Sequence, residues 1–257
     1  TILPLFIVLI KYKKSMKTLV IIPSRLSASR LPGKPLLKIN GVSIISHVFK
    51  RAESANIGEV IVATEDQEII DDIKSNGGNA VLTSKNHKTG TDRIHEAFTM
   101  LARKDIDFIM NLQGDEPEID INDIKNLDNK MKINNAKIGT LAANILNSKM
   151  FKNEDIVKVI TKEPFDQNSF PYAATFTRET KDKKNTFHHI GIYCYEVETL
   201  KKFTSFNQSK KELENRLEQL RALDNNININ VALASTSPIG VDTKEDYLAI
   251  KKIMEYK

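Results

Sequence analysis

The sequence predicts an α/β fold in which a mainly parallel sheet carries helices on both faces. Three observations support this. From Thr18 to Met131 short apolar runs alternate with helical patterns, the βαβ rhythm that produces parallel strands. One run, Glu59–Thr64, is apolar enough for a strand buried on both faces. The polar loops after the first, second and fourth runs would all fall on the carboxyl edge of such a sheet, where ligands bind.

Taken in order, Leu19–Pro23 is the first strand. Ser43–Asn56 reads as a helix with Ile44, Ile45, Val48 and Ala52 on one face. After the strand Glu59–Thr64, the spacing predicts a helix over Asp66–Asn76, stopped by Gly77 and Gly78. Ala80–Thr83 is a short third strand, and Thr89–Arg103 a helix capped by Thr89 or Thr91. Phe108–Leu112 is the fourth strand, followed by a turn from Gly114 to Pro117. Beyond this the rhythm changes. Ile138–Ile145, Ile156–Lys162 and His188–Val197 read as strands with less helix between them, and the polar stretch Glu163–Asn185 matches no element. Residues 146–206 are therefore expected to form a smaller β-rich part, and 16–145 with 207–257 the main α/β domain. Ser209–Leu223 reads as one helix, with Ser209 and Glu212 as a capping box and Leu213, Leu217, Leu220 and Leu223 as its buried stripe. Ile227–Ala234 is a further strand, and Thr243–Tyr256 the closing helix.

A chain of 257 residues is long enough for one large or two modest domains. With 40% hydrophobic and 28% charged residues it falls among ordinary soluble chains, and neither a membrane nor a nucleic-acid partner is expected. A net charge of +5 suits an anionic small molecule, and no basic block interleaved with aromatics supports a nucleic-acid reader. The lone Cys194 excludes an internal disulfide and fits a reducing, cytoplasmic compartment. Ile2 to Ile10 is apolar but shorter than the roughly 20 residues a bilayer requires. Its lysines follow the apolar run, the reverse of a signal peptide. We expect Met16 to be the natural start and residues 1–15 an extension without a role in the fold.

The chemistry concentrates in five places. The loop after the first strand carries Arg25, Arg30 and Lys34 among small residues, with Gly33. Such a loop lays cations and backbone N–H groups along a chain of phosphates, although it lacks Walker spacing; the alternative is a solvated basic loop. Asp115 lies just past a buried strand, a position for a Mg²⁺ ligand or for a turn-forming aspartate. Asp242, at a strand-to-helix junction, is a second carboxylate or simply a helix start. Two carboxylates and a basic loop are what nucleotidyl transfer requires, with the attacking hydroxyl supplied by the acceptor. In the strand His188–Val197, alternation puts His189, Gly191, Tyr193 and Tyr195 on one face and Ile190, Ile192 and Cys194 on the other. His189 and Tyr193 read equally as a hydrogen-bonded core pair. At about 100° per residue Glu218 falls off the leucine stripe, facing either a ligand or solvent.

The segment IPSRLSASRLPGKPL resembles the signature loop of the sugar-acid cytidylyltransferases. HKTGTDR, NLQGDEP, HHIGIYCY, LEQLR and GVDTKEDY follow in that family's order over almost the whole region after Met16. On these segments the chain is identified as a member of the 3-deoxy-manno-octulosonate (Kdo) cytidylyltransferase family. The resemblance implies a Rossmann-like sheet of the nucleotide-diphospho-sugar transferase type. It implies CTP and a 3-deoxy-octulosonate sugar acid as substrates, Mg²⁺ as cofactor, a homodimer built through the β-rich part, and a place in lipopolysaccharide synthesis. Arg25 and Lys34 match positions that hold the triphosphate, and Lys34 the one facing the leaving pyrophosphate. Arg30 either assists them or makes an outward salt bridge. Thr89, Gly90 and Arg93 match the segment lining cytosine and ribose. Asp115 and Asp242 match the magnesium ligands, and Gln113 a residue near both substrates. His189, Tyr193, Glu218 and Gln219 match sugar-binding positions. One departure stands out. Where the family carries a Phe-Ser-Arg-Ala segment, this chain reads Ser169 to Phe176, without the arginine and with Tyr172 in its place. That leaves Kdo, an amino-substituted Kdo or a sialic-acid-type ulosonate open as the sugar acid.

Overall fold

The structure is a computed structural model that describes residues 15–27, 30–181 and 183–256. The extension expected over residues 1–15 lies outside these, Ser15 excepted. The first strand, β1 (Thr18–Ser24), is buried along almost its whole length because its apolar residues serve both faces. Gly33, at φ +70°, opens a 3-10 turn over Lys34–Leu36. A short hairpin of β2 (Lys38–Ile39) and β3 (Val42–Ser43) leads into α1 (Ile44–Ser54), where the Ser43 hydroxyl accepts the Ser46 N–H. Then come β4 (Gly58–Thr64), α2 (Gln67–Ser75), β5 (Asn79–Leu82), α3 (Gly90–Leu101), β6 (Phe108–Asn111), α4 (Ile121–Asn134) and β7 (Ile138–Ala143). The later part holds α5 (Ser148–Lys152), β8 (Lys158–Thr161), β9 (Ala173–Thr177), β10 (Thr186–Glu196), α6 (Val197–Ser205), α7 (Lys210–Asn215), α8 (Leu220–Asp224), β11 (Ile229–Leu233) and α9 (Lys244–Glu255).

The main sheet has the order β11-β7-β10-β6-β1-β4-β5. Pairs β1–β4, β1–β6, β4–β5 and β7–β11 are parallel, and β10 runs antiparallel between β6 and β7. The mainly parallel sheet is therefore as expected. The boundary drawn around 146–206 is not, because β10 crosses the middle of the main sheet while β8 and β9 extend it outward. An eleven-residue strand buried on both faces needs neighbours on both sides, and only the central sheet supplies them. Gly58 allows the close β1–β4 approach: a Cβ there would come within 1.8 Å of the Thr18 carbonyl oxygen.

Three apolar cores result. One packs α1, α2 and α4 on one face of the sheet, with Ile190, Ile192 and Cys194 of β10. The second packs α3, α6 and α8 on the other face, with Tyr193 and Tyr195. The expected alternation along β10 is thus realised. The third, smaller core joins Ile39, Ile44, Val241 and Ile250, with Leu31 against it, and pins α9 beside the hairpin.

The single helix expected over Ser209–Leu223 is two short ones. Arg216, at φ +53°, ends α7 in a left-handed cap with its N–H on the Glu212 carbonyl. The cause is a buried pair. Arg221 grips Glu212 through two bonds, Nε–Oε2 at 2.8 Å and Nη2–Oε1 at 2.5 Å, and stacks 4.8 Å from the Phe203 ring centroid. Folding back to make this pair leaves Leu213 exposed, while Leu217 and Leu220 stay buried. The capping box of Ser209 and Glu212 is present. Burial opposes the charge on Glu212, but the bonds from Arg221, Gln208 and the Ser209 N–H outweigh it and hold the carboxyl below its usual range.

Glu212, with its lowered value, contributes stability that is present above the ordinary carboxylate range and is lost as pH falls through that lowered value. Arg221→Ala strands a buried carboxylate and should destabilise the protein by about 3–5 kcal/mol near neutral pH. In denaturant titrations the deficit should shrink as pH is lowered below about 4, where Glu212 takes up a proton; a deficit independent of pH would refute this account.

Candidate active site

At the carboxyl edge of the sheet, β1, β6 and the segment before α9 converge on one cation. The Lys34 ammonium donates to Asp115 Oδ2 at 2.7 Å and to Asp242 Oδ1 at 3.2 Å. Arg30 Nη2 donates to Asp242 Oδ2 at 2.9 Å, so Arg30 turns inward to the cluster. The backbone closes the same junction, because Val241 N–H donates to the Asp115 carbonyl at 2.9 Å. Val241 itself is anchored in the third core, which Leu31 of the basic loop also packs against. Burial alone would lower the Lys34 ammonium, but Asp115 and then Asp242 outweigh it and raise its value above the usual one. Beside them the Glu116 carboxyl is pushed up to about 8, first by burial and then by the charges of Asp115 and Asp242.

These groups lie at the end of a cleft of about 340 Å³ that also holds Arg25, Thr89, Gly90, Arg93 and Gln113. Every nucleotide-side residue expected from the sequence is therefore in one place. They do not all present free groups. The Arg93 guanidinium is buried, pairs with Glu65, and donates to Thr83 Oγ1 at 2.6 Å and the Ser84 carbonyl at 3.2 Å. Arg93 thus lines the cleft, as expected of its segment, with its donors spent on the wall. Thr89 caps α3, its hydroxyl accepting the Asp92 N–H, so the N-terminus of a twelve-residue helix opens on the cleft. Gly114 packs tightly, with a Cβ there 3.1 Å from the Pro23 carbonyl oxygen. Lys88 lines the cleft too. It was missed although it sits inside the HKTGTDR segment, where the helix-cap residues drew the attention.

A second group lies beyond Gln113, whose Nε2 donates to the Gly191 carbonyl at 2.9 Å, at the bulge in β10. Phe176, His189, Tyr193, Tyr195 and Phe203 form a continuous row of rings, with neighbouring centroids 5.0 to 6.0 Å apart. His189 and Tyr193 are buried in this row. Burial, and then the neighbouring His188, lowers His189 to about 3, so its ring is neutral. Its Nε2 lies 3.1 Å from Thr140 Oγ1. The Thr140 hydroxyl approaches the Ile192 carbonyl more closely, at 2.7 Å, and Tyr193 Oη is left buried without a hydrogen-bond partner. Glu218 lies in the turn between α7 and α8. Its Oε2 accepts from Thr91 Oγ1 at 3.0 Å, and its Oε1 is buried without a hydrogen bond, 3.8 Å from Arg221 Nη2. Burial is the main cause that raises the Glu218 carboxyl. Tyr193 and Glu218 are thus brought together next to the start of α3, while Gln219 sits half-buried just ahead of α8.

The missing arginine is a matter of register. β9 carries Phe176 and Thr177 and is followed by Arg178, so the Phe-x-Arg pattern is present six residues later than sought. Phe176 packs edge-on against His189 at 5.0 Å, and Arg178 donates to the carbonyls of Glu154 and Asn215 at the end of α7. Tyr172 instead is half exposed, with Lys162 over its ring.

Comparison with known proteins agrees with this layout. The family profile for cytidylyltransferases matches residues 19–229. The 3-deoxy-manno-octulosonate cytidylyltransferase of Thermodesulfovibrio yellowstonii is 42% identical over 257 residues, covering 93% of this chain and 98% of that protein. The chain belongs to that family. The protein of the same name from Rhodopseudomonas palustris strain BisB18 is 40% identical over 243 residues, covering 93% and 98%. The solved structure of a CMP:2-keto-3-deoxy-manno-octonic acid synthetase complexed with CTP superposes with a TM-score of 0.84 at 33% identity, covering 93% of this chain and 99% of that one. A UDP-glucose pyrophosphorylase complexed with UDP-glucose, 11% identical with a TM-score of 0.70 and 93% and 98% coverage, shares the fold alone. No helix among the described residues is long and apolar enough to cross a membrane.

Because its pKa is lowered and not raised, His189 should not titrate in the physiological range. In proton NMR its ring should keep neutral chemical shifts from about pH 8 down to about pH 5. A titration centred between those values would show that the ring is solvated and not part of the aromatic row.

Proposed function

We propose that the protein transfers CMP from CTP to the anomeric hydroxyl of 3-deoxy-D-manno-octulosonate, releasing pyrophosphate. Family membership supports the chemistry, and one observation carries it to this chain: Lys34 bridging Asp115 and Asp242 at the end of a basic cleft. In the reaction the sugar hydroxyl oxygen attacks the α-phosphorus of CTP in line. The new O–P bond forms as the bond to the bridging oxygen of pyrophosphate breaks; the electron pair leaves with pyrophosphate, and the hydroxyl proton passes to solvent. Lys34 offsets the charge growing on that leaving group, and Arg25 and Arg30 hold the outer phosphates. The N-terminus of α3 and the wall shaped by Arg93 orient the nucleoside. Tyr193 and Glu218, each with a buried oxygen that makes no hydrogen bond, are suited to sugar hydroxyls, with Gln113 between the two substrates.

Two carboxylates from separate loops suit a hard divalent cation, and we assign Asp115 and Asp242 as the ligands of Mg²⁺. Among the described residues no three His, Cys, Asp or Glu side chains cluster to hold a metal. This suits an ion that draws its remaining ligands from water and phosphate. Mg²⁺ would supply charge neutralisation between triphosphate and acceptor. We further read a cytoplasmic homodimer, associating through the 146–206 region that exposes Leu146 and Tyr172, in lipopolysaccharide synthesis. Since Phe176-Thr177-Arg178 restores the expected pattern, nothing in this chain favours another sugar acid over Kdo.

Mixing CTP, Mg²⁺ and Kdo and following pyrophosphate tests the reading. Release with Kdo is expected; robust release with sialic acid and none with any octulosonate would refute the substrate. Asp115→Ala and Asp242→Ala should each lower turnover by about 10²-fold or more, with the midpoint of thermal unfolding little changed. Near-normal turnover in either would remove that residue from the metal site.

A further inference from the structure

Two consecutive carboxylates, Glu65 and Asp66, follow the end of β4 and reach opposite walls of the cleft without lining it. Asp66 itself has extended backbone, at φ −110° and ψ 121°. Asp66 occupies the N-cap position of α2 but makes no cap bond to its own helix. An aspartate there ordinarily accepts an N–H of the first turn. Here its Oδ2 accepts the Leu26 N–H of the basic loop at 2.7 Å. The Leu26 carbonyl in turn accepts the Gly33 N–H at 3.1 Å. Gly33 immediately precedes Lys34, whose ammonium bridges Asp115 and Asp242. An unbroken chain of bonds thus runs from the end of β4 to the cation of the site.

Glu65 serves the other wall. It pairs with Arg93, and both side chains are nearly buried, at 12% and 4% exposure. Arg93 ties down Thr83 and Ser84, and from the same helix Glu96 accepts the Ser84 N–H at 2.8 Å and binds His87. This strapped segment delivers Lys88, Thr89 and Gly90 to the cleft. Thr64, just before the pair, fixes the spacing of both walls: it is level with Ser24 of β1, and its carbonyl accepts the Thr83 N–H at 2.7 Å.

We propose that Glu65 and Asp66 are positioning residues for the transfer, Asp66 fixing the pyrophosphate wall through Leu26 and Gly33, and Glu65 the nucleoside wall through Arg93. The proposal rests on the cytidylyltransferase reading above and adds to it a separable control of the two halves of CTP. Neither residue lines the cleft, so each acts through its own wall.

The test is a cross-comparison. Pyrophosphate and CMP are titrated separately, in the presence of Mg²⁺, into the wild-type protein and the variants Asp66→Ala, Asp66→Asn and Glu65→Gln, followed by calorimetry. Asp66→Ala should weaken pyrophosphate by about tenfold and leave CMP within about twofold. Asp66→Asn, which keeps an acceptor for Leu26, should recover most of the loss. Glu65→Gln should do the reverse, weakening CMP by about tenfold with pyrophosphate little changed. In steady-state assays Asp66→Ala should lower kcat more than it moves KM for CTP, and Glu65→Gln should raise KM with kcat retained. Should Glu65→Gln fail to fold, Glu65→Asp, which keeps the charge and withdraws it from Arg93, serves the same comparison. Parallel losses for both ligands in both variants, or no loss in either, would overturn the proposal while leaving the cytidylyltransferase reading intact. A wild-type protein that binds neither ligand would instead overturn that reading, and this proposal with it.

Discussion

The ammonium of Lys34 between Asp115 and Asp242 is the constraint on which the site depends. Two carboxylates brought to one partly buried place repel unless a cation lies between them. Lys34 removes that penalty within the protein itself, and Arg30 adds a second positive charge on the outer side of Asp242. The rest of the fold keeps these groups from separating. The Val241 N–H on the Asp115 carbonyl ties the two acidic loops directly. The small core around Ile39, Ile44, Val241 and Ile250 ties them again from below, because Leu31 of the basic loop packs against it. Attraction between charges positions the tips of the side chains, while apolar burial positions the backbone that carries them.

The direction of β10 matters for the second half of the site. In the parallel strands only the carboxyl ends reach the ligand edge. β10 runs the other way, so its early residues are the ones that arrive there: His188 is level with Ala143 at the end of β7, whereas Tyr195 is level with Ile138 at its start. A single antiparallel strand therefore delivers His189, Gly191 and Tyr193 to the same edge as Asp115. The bulge between Ile190 and Tyr193 frees the Gly191 carbonyl for Gln113, which links the nucleotide cleft to the aromatic row.

Much of this was legible in the sequence, for physical reasons. The loops after β1 and β6 and the start of α9 are marked by glycine, proline and capping residues at spacings that allow few backbone conformations, and there the expected residues converge. The helix boundaries of α1, α2, α3 and α9 follow from caps at Ser43, Thr89 and Thr243 and a stop at Gly77. Legibility failed where a distant contact overrides a local pattern. Nothing local says that Arg216 takes a left-handed conformation; the buried pair of Glu212 and Arg221 requires it, and Leu213 loses its place in the core. The register of Phe176-Thr177-Arg178 was missed because β9 is only five residues long and has Ala173 and Phe176 as its buried members. Pairing with β8, more than its own propensity, makes it a strand. Periodicity placed His188–Val197 correctly as a strand but could not assign its sheet, since burial on both faces fits any interior position.

The distribution of unsatisfied groups separates a ligand site from a merely polar cleft. A buried polar atom without a partner costs about 1–3 kcal/mol, so folded proteins keep few of them. Among the described residues the buried side-chain atoms left without a hydrogen-bond partner are Ser24 Oγ, Glu116 Oε2, Tyr193 Oη and Glu218 Oε1. None lies in the remote parts of the cores. Ser24 lines the nucleotide cleft, Glu116 adjoins Asp115, and Tyr193 and Glu218 stand together beside the start of α3. Elsewhere the same chain satisfies difficult groups closely: Lys158, fully buried, donates to the carbonyls of Asn153 and Arg178 at 2.6 Å each. A sequence that can pair a buried lysine on backbone alone, yet leaves four oxygens without a hydrogen bond along one edge of one sheet, concentrates its unmet hydrogen-bonding capacity where a polar ligand would complete it.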